Sequence, residues 1–270
     1  MVKAISLIYM DWRGNVLEAI RAESVSKSFD RTKAVDNLNL LVRAGEIRGL
    51  LGPNGSGKST TMKIMLGILK PDSGGVAVYG VDVKERPVDV RRMMGYVPET
   101  PSLYEYLTAA EYLDFVGVAY GIEPETRRQR VGEMLQVLQM EEHVNEVMSG
   151  FSQGMKQKIA LTASLLHRPK VLILDEPLNG LDPRSARIVK EILHRLAREG
   201  VAILFSTHVL EIAEAICNRI TIMNEGSVLA EGSIHELRSM AGLPGSSLEE
   251  VFLKLTGSGD TVKIVEALRL

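Results

Sequence analysis

The densest chemistry in the sequence lies in Gly52-Pro53-Asn54-Gly55-Ser56-Gly57-Lys58-Ser59-Thr60. The stretch fits G-x-x-x-x-G-K-[ST], a spacing suited to cradling phosphates. Gly52, Gly55 and Gly57 admit the backbone angles that turn successive N–H groups inward around a polyphosphate. Lys58 can then reach the β- and γ-phosphates, and the Ser59 hydroxyl can ligate Mg2+. A second group lies far downstream, where Val171-Leu172-Ile173-Leu174 runs into Asp175-Glu176-Pro177. Asp175 would hold Mg2+, directly or through water, and Glu176 would polarise an attacking water as general base. The two groups together predict binding of a nucleoside triphosphate.

These side chains work only if the elements around them deliver them to one place. Residues 46–51 are apolar-rich and predict a buried strand before the glycine-rich loop. Met62, Met65, Leu66 and Leu69 recur at helical spacing, so a helix is expected over 61–69, with its positive end adding to the anion site. Residues 171–174 show no polar alternation, as expected of a parallel strand covered on both faces. Such a strand ends at the sheet edge where ligands of parallel α/β sheets gather. Further strands are expected at 16–21, 76–79, 94–97 and 201–206, with a hairpin over 220–230. Asp182-Pro183 reads as N-cap and first position of a helix running to Arg198.

Between 101 and 168 no strand is expected. Thr108-Ala109-Ala110-Glu111 is a capping-box pattern opening a helix toward Tyr120; a second helix is expected over 126–138 and a third after Gly150. The fold class expected is α/β: a nucleotide-binding core sheet, N-terminal antiparallel strands and a helical insertion over about 101–168. Residues 1–15 are expected to form an extension, 16–240 the main domain, and 241–270 a helical tail in which Ser246 or Ser247 caps a helix over 248–255.

Bulk properties narrow the classes. A net charge of −2 gives no global basic field for nucleic acid or anionic lipid, and the basic run Arg127-Arg128-Gln129-Arg130 reads as a solvated helix face. The single cysteine, Cys217, excludes an internal disulfide, fits a reducing compartment and is expected inside a helix. No apolar run reaches the ~20 residues needed to cross a bilayer. A cytoplasmic protein, soluble on its own, is expected.

Phe151-Ser152-Gln153-Gly154-Met155-Lys156-Gln157, just upstream of the Asp-Glu-Pro strand, resembles the signature loop of ATP-binding cassette (ABC) proteins, commonly Leu-Ser-Gly-Gly-Gln. Ser152 and Gly154 match; Phe151, Gln153 and Met155 depart. Leu178-Asn179-Gly180-Leu181-Asp182 resembles the D-loop, His208 after Ser206-Thr207 matches the switch histidine, and Phe29 sits where the family stacks an aromatic ring on adenine. Glu99, in Gly95-Tyr96-Val97-Pro98-Glu99, stands where the family usually has Gln, and a carboxylate there can ligate metal or water. The resemblance spans about 16–230, and residues 247–253 resemble the tails of cassettes serving exporters, drug-resistance ones included.

The resemblance implies an ATPase using ATP and Mg2+ and paired head to tail with a second cassette, most simply a copy of itself. Ser152 and Gly154 would then serve the partner's γ-phosphate, and Asp182 would lie at the interface. It also implies an integral membrane permease gripping the helical insertion near 99–107, a place at the inner face of the cell membrane, and no nucleic acid. A non-transport cassette acting on nucleic acid or ribosomes is the alternative, although such proteins usually carry coiled-coil insertions or two cassettes in one chain. A phosphotransferase or GTPase would leave Ser152–Gly154 and His208 without a role. A degenerate regulatory cassette conflicts with the presence of Lys58, Asp175, Glu176 and His208.

Overall fold

The structure is a computed structural model and describes residues 17–257. The expected extension at 1–15, position 16 of the first expected strand and the tail beyond 257 lie outside the described residues.

The chain opens with strands β1 (Glu18–Phe29) and β2 (Thr32–Arg43), followed by β3 (Ile47–Leu51) and helix α1 (Lys58–Met65). Then come β4 (Ser73–Val78), β5 (Val81–Asp82), α2 (Pro87–Met93) and β6 (Met94–Val97). The helical stretch holds α3 (Ala109–Ala119), α4 (Pro124–Leu138) and α5 (Gln153–Leu165), with two short 3-10 turns between α4 and α5. After it run β7 (Val171–Asp175), α6 (Pro183–Arg198), β8 (Ala202–Ser206), α7 (Leu210–Ile216), β9 (Arg219–Asn224) and β10 (Ser227–Gly232). Helices α8 (Ile234–Ala241) and α9 (Leu248–Leu255) close the described chain.

Two sheets result. One is antiparallel, in the order β2-β1-β4-β5; the other follows β10-β9-β3-β8-β7-β6. In the second, β3 pairs in parallel with β8 and β9, and β7 with β6 and β8, while β10 returns antiparallel to β9. Alternate residues of β7 enter different cores. Val171 and Ile173 join the cluster beneath the antiparallel sheet and α1; Leu172 and Leu174 join the cluster shared with the helical stretch and α6. All four are fully buried, each worth roughly 1.5–3 kcal/mol against leaving it in water. Their burial pins the height of Asp175. A third cluster seats α8 and α9 on Leu51, Ile220 and Ile222.

The caps form as expected. Thr108 and Glu111 make a reciprocal capping box, Asp182 accepts from the Arg184 and Ser185 N–H groups, and Ser247 rather than Ser246 caps α9. The β9–β10 hairpin turns through Glu225 and Gly226, both at positive φ, the geometry a two-residue primed turn requires.

Two expectations need correction, and one strand carries no clear sequence signal. No strand was legible over 32–43, yet β2 pairs with β1 along its length. Asn37 at φ 47 and repeated register shifts break the two-residue alternation there. The helix expected over 61–69 begins at Lys58, inside the glycine-rich loop, and ends by Gly67 at φ 64. Cys217 is not within a helix but just past α7 in extended conformation, with its thiol pushed up to about 12 by burial. A desolvated thiol of that kind is unreactive.

Candidate active site

Four parallel strands release their C-terminal ends at one edge of the larger sheet. β3 delivers the glycine-rich loop, β6 delivers Glu99, β7 delivers Asp175 and Glu176, and β8 delivers His208. A cleft of about 750 Å3 opens there, lined by Gly52 to Thr60, Ala34, Glu99, Asp175, Glu176 and His208. A larger cavity of about 940 Å3 lies elsewhere and holds none of these residues.

The glycines of the loop serve different ends. Gly57 sits at φ 99, and a Cβ on it would collide with the Ala34 carbonyl; Gly52 has an ordinary φ, but its Cβ would meet the Met223 carbonyl and Ser56 Oγ. The loop is held from outside by the β9–β10 turn. The Gly226 N–H donates to Ser56 O at 3.1 Å, and the Asp36 N–H donates to Gly226 O at 2.8 Å. These supports, like Ala34, had no sequence signal, because they depend on tertiary approach. Gly57 also caps α1 without a side chain, and the first turn of α1 holds no acid. The N–H groups at that helix start are therefore free to face an anion.

Lys58 Nζ donates to Gly52 O at 2.7 Å and Pro53 O at 3.1 Å. Burial pushes its ammonium below the ordinary value, and the charges of Glu176, Asp175 and Glu99 oppose that fall. A phosphate at the same place would add further counter-charge to this buried cation.

Behind the carboxylates stands Ser206, fully buried. Its hydroxyl donates to Asp175 Oδ1, while its Oγ and carbonyl accept from the Glu176 N–H at 3.1 Å and 3.2 Å. Register explains the pairing: Asp175 lies opposite Ser206 across β7 and β8. Glu176 sits at φ 48, a sparsely populated conformation for a residue with a side chain. Its Oε1 lies 2.8 Å from His208 Nδ1. A carboxylate so held, next to an imidazole, can accept a proton from a water at the mouth of the cleft.

The other expected residues lie outside the cleft lining. Phe29, at the end of β1, is 48% exposed, with Lys27 Nζ 5.7 Å from its ring centroid. Ser152 caps α5 by accepting from the Met155 N–H at 3.2 Å. Gly154 follows so closely on the D-loop that a Cβ would strike the Gly180 carbonyl, and Asp182 caps α6. The structure thus brings residues 152–154 and 180–182 together in a patch separate from the cleft.

Comparison with known proteins agrees with this geometry. The profile of the ABC transporter family matches residues 35–179. The ABC-type transporter ATP-binding protein EcsA of Bacillus subtilis is 34% identical, over 89% of this chain and 97% of its own. The daunorubicin/doxorubicin resistance ATP-binding protein DrrA of Streptomyces peucetius is 37% identical, over 83% of this chain and 68% of its own. Among solved structures, the ATP-binding subunit of an ABC transporter superposes with a TM-score of 0.84 at 34% identity, covering 88% of this chain and 99% of that one. The dimeric cassette MJ0796 bound to ADP and Pi gives 0.75 at 26% identity, covering 80% and 98%. On site geometry, family profile and near full-length relatives alike, this chain belongs to the ABC transporter family and is one of its ATP-binding, ATP-hydrolysing proteins.

Proposed function

We propose that this chain powers export through a separate membrane-spanning permease, working as one of two identical cassettes that share their ATP sites. The observation that carries this is the split of the machinery. The phosphate loop, Glu99, Asp175, Glu176 and His208 line the cleft, whereas Ser152, Gly154 and Asp182 lie outside it.

In the proposed site, Lys58 exchanges the Gly52 and Pro53 carbonyls for β- and γ-phosphate oxygens, and the N–H groups of residues 55–60 cradle them. Phe29, already half exposed, takes the adenine. Ser59, Asp175 and Glu99 are hard oxygen donors suited to Mg2+, which needs only one or two carboxylates beside phosphates and water. Bound there, Mg2+ would neutralise charge on the β- and γ-phosphates. Glu176 takes a proton from the water that attacks the γ-phosphorus, and the bond to the ADP oxygen breaks. His208 holds the Glu176 carboxylate and faces the γ-phosphate. A copy of the chain supplies its own Ser152 and Gly154 opposite, so ATP joins two surfaces and hydrolysis parts them.

Among the described residues no helix is long and apolar enough to cross a membrane, so a transport role requires a partner that does. The helical stretch offers a contact surface. Tyr104 and Tyr106 are 60% and 94% exposed, and Tyr104 packs edge-on against Phe115 at 5.7 Å. The CbiO1 cassette of Clostridium perfringens, which superposes at TM-score 0.72 and 27% identity over 91% of this chain, is part of the transporter complex cbiONQ. Export is supported by relatives named for drug resistance. The chain would then act at the cytoplasmic face of the membrane, without nucleic acid.

The test is size-exclusion chromatography of the Glu176→Gln variant with and without ATP and Mg2+. A shift from monomer to dimer on adding ATP is expected. A variant that binds ATP yet stays monomeric would overturn self-pairing.

A further inference from the structure

The larger cavity, about 940 Å3, lies at the seam between the helical stretch and the sheet core and shares no residue with the nucleotide cleft. Apolar side chains line it from two helices, Met134 and the half-exposed Val137 of α4 and Ile192 and Leu196 of α6. The volume falls within the ~300–1,000 Å3 range typical of pockets for small organic ligands.

Its rim is positive, and the charge is unevenly cancelled. Four cations line it (Arg130, Arg168, Lys170 and Arg195) beside two acids, Glu133 and Glu199. Arg195 is paired, with Nε 3.0 Å from Glu199 Oε1. Lys170 lies over the Tyr79 ring, 5.7 Å from its centroid, and Glu133 accepts from Gln129 at 2.8 Å. That leaves Arg130 and Arg168 as near neighbours with no acidic partner bonded to either among the described residues. Arg130 Nη1 donates to Leu166 O at 2.6 Å, but its Nε is buried and has no acceptor. Burial and the Arg168 charge also push the Arg130 guanidinium down from its ordinary value, and the nearby Glu133 charge opposes that fall without abolishing it. Arg168 is exposed and sits at φ 53 in the short link from α5 to β7.

We propose that this cavity binds an amphiphilic anion, its acidic head between Arg130 and Arg168 and its apolar body against Met134, Val137, Ile192 and Leu196. The head supplies the acceptor that Arg130 Nε lacks and the negative charge the two guanidinium groups share. The body covers these apolar side chains, which a bare inorganic anion would leave wet. A carboxylate and a phosphate monoester both meet this description.

The experiment is isothermal titration of the full chain, without nucleotide, with decanoate, decyl phosphate and the neutral 1-decanol, each below its aggregation threshold. Because no nucleotide is present, the outcome is independent of the ATPase assignment. Saturable one-to-one binding of decanoate or decyl phosphate is expected, and whichever binds identifies the headgroup. Decanol should bind at least about tenfold more weakly, as should either anion to the Arg130→Gln/Arg168→Gln double variant. Arg168→Gln alone, which disturbs no packed side chain, should weaken the anion at least about threefold. Equal affinity for decanol, unchanged affinity in the double variant, or no saturable binding of either anion would each overturn the proposal.

Discussion

Glu176 is the residue on which the site turns, and its backbone is held where few residues with a Cβ rest. At φ 48 it carries strain of order 1–3 kcal/mol, sustained by two hydrogen bonds from its N–H to Ser206 and by contact with His208. From that position Glu176 lines the cleft. Replacing Glu176 with Gln keeps the shape and removes the proposed proton acceptor. Turnover should fall roughly 10²–10⁴-fold while ATP affinity stays within about twofold. Lys58→Ala should do the reverse in kind, weakening ATP binding at least about tenfold, because charge-assisted contacts to phosphate are lost at a buried site. Equilibrium titration with ATP beside steady-state hydrolysis separates the two. Near-normal turnover in the first variant, or unchanged ATP affinity in the second, would strip that residue of its assigned role.

The elements were legible wherever local chemistry sets them, and obscure wherever tertiary contact does. Thr108, Asp182 and Ser247 announce helix starts because a cap is a contact of three residues' reach. Leu172 and its neighbours announce a buried strand because both faces are apolar. The phosphate loop and the Asp-Glu pair were equally plain, but Ser206, Ala34 and Gly226 reach the site by register and loop contact, which spacing does not encode. β2 escaped because its bulges scramble alternation. Arg48 escaped too, an almost fully buried guanidinium midway along β3, bonded to Glu46 at 2.7 Å and to Thr221 and Glu231 at 3.1 Å. Arg48→Ala takes from the buried Glu46 its 2.7 Å partner and leaves it the Arg43 N–H at 3.1 Å and a 4.0 Å contact with the Arg43 guanidinium, so a loss of about 2–4 kcal/mol is expected in urea unfolding. Arg48→Met combined with Glu46→Gln should recover part of it; no recovery would show that the pair acts otherwise. The caps make a prediction in pH. Hydrogen bonds from the Thr108 N–H and hydroxyl hold the Glu111 carboxyl below its ordinary 4.5, and those of Ser233, with help from Arg219, do the same for Glu236. Both carboxyls are depressed in the folded chain, so their contribution is whole above 4.5 and drains away as pH falls through that value toward the folded one. The urea midpoint should decline over this window, and less steeply in the Glu111→Gln/Glu236→Gln double variant. Superimposable pH profiles would remove the caps from the acid response.

At the scale of the whole molecule, one sheet edge gathers the phosphate loop, Glu99, Asp175, Glu176 and His208, while residues 152–154 and 180–182 lie outside that cleft. A Cβ on Gly154 would strike the Gly180 carbonyl, so residues 152–154 and 180–182 form one closely packed unit. That unit contributes nothing to its own cleft. A chain built this way should hydrolyse ATP in proportion to how often two copies meet. At saturating ATP and protein concentrations where the monomer prevails, doubling the protein should raise the total rate about fourfold, flattening toward twofold as dimers fill. Light scattering under the same conditions would report which species is present. A tight dimer at every concentration would give a rate merely proportional to protein, and scattering would reveal it. A proportional rate from a chain that scatters as a monomer would mean that one copy closes its own site, and residues 152–154 would need another purpose.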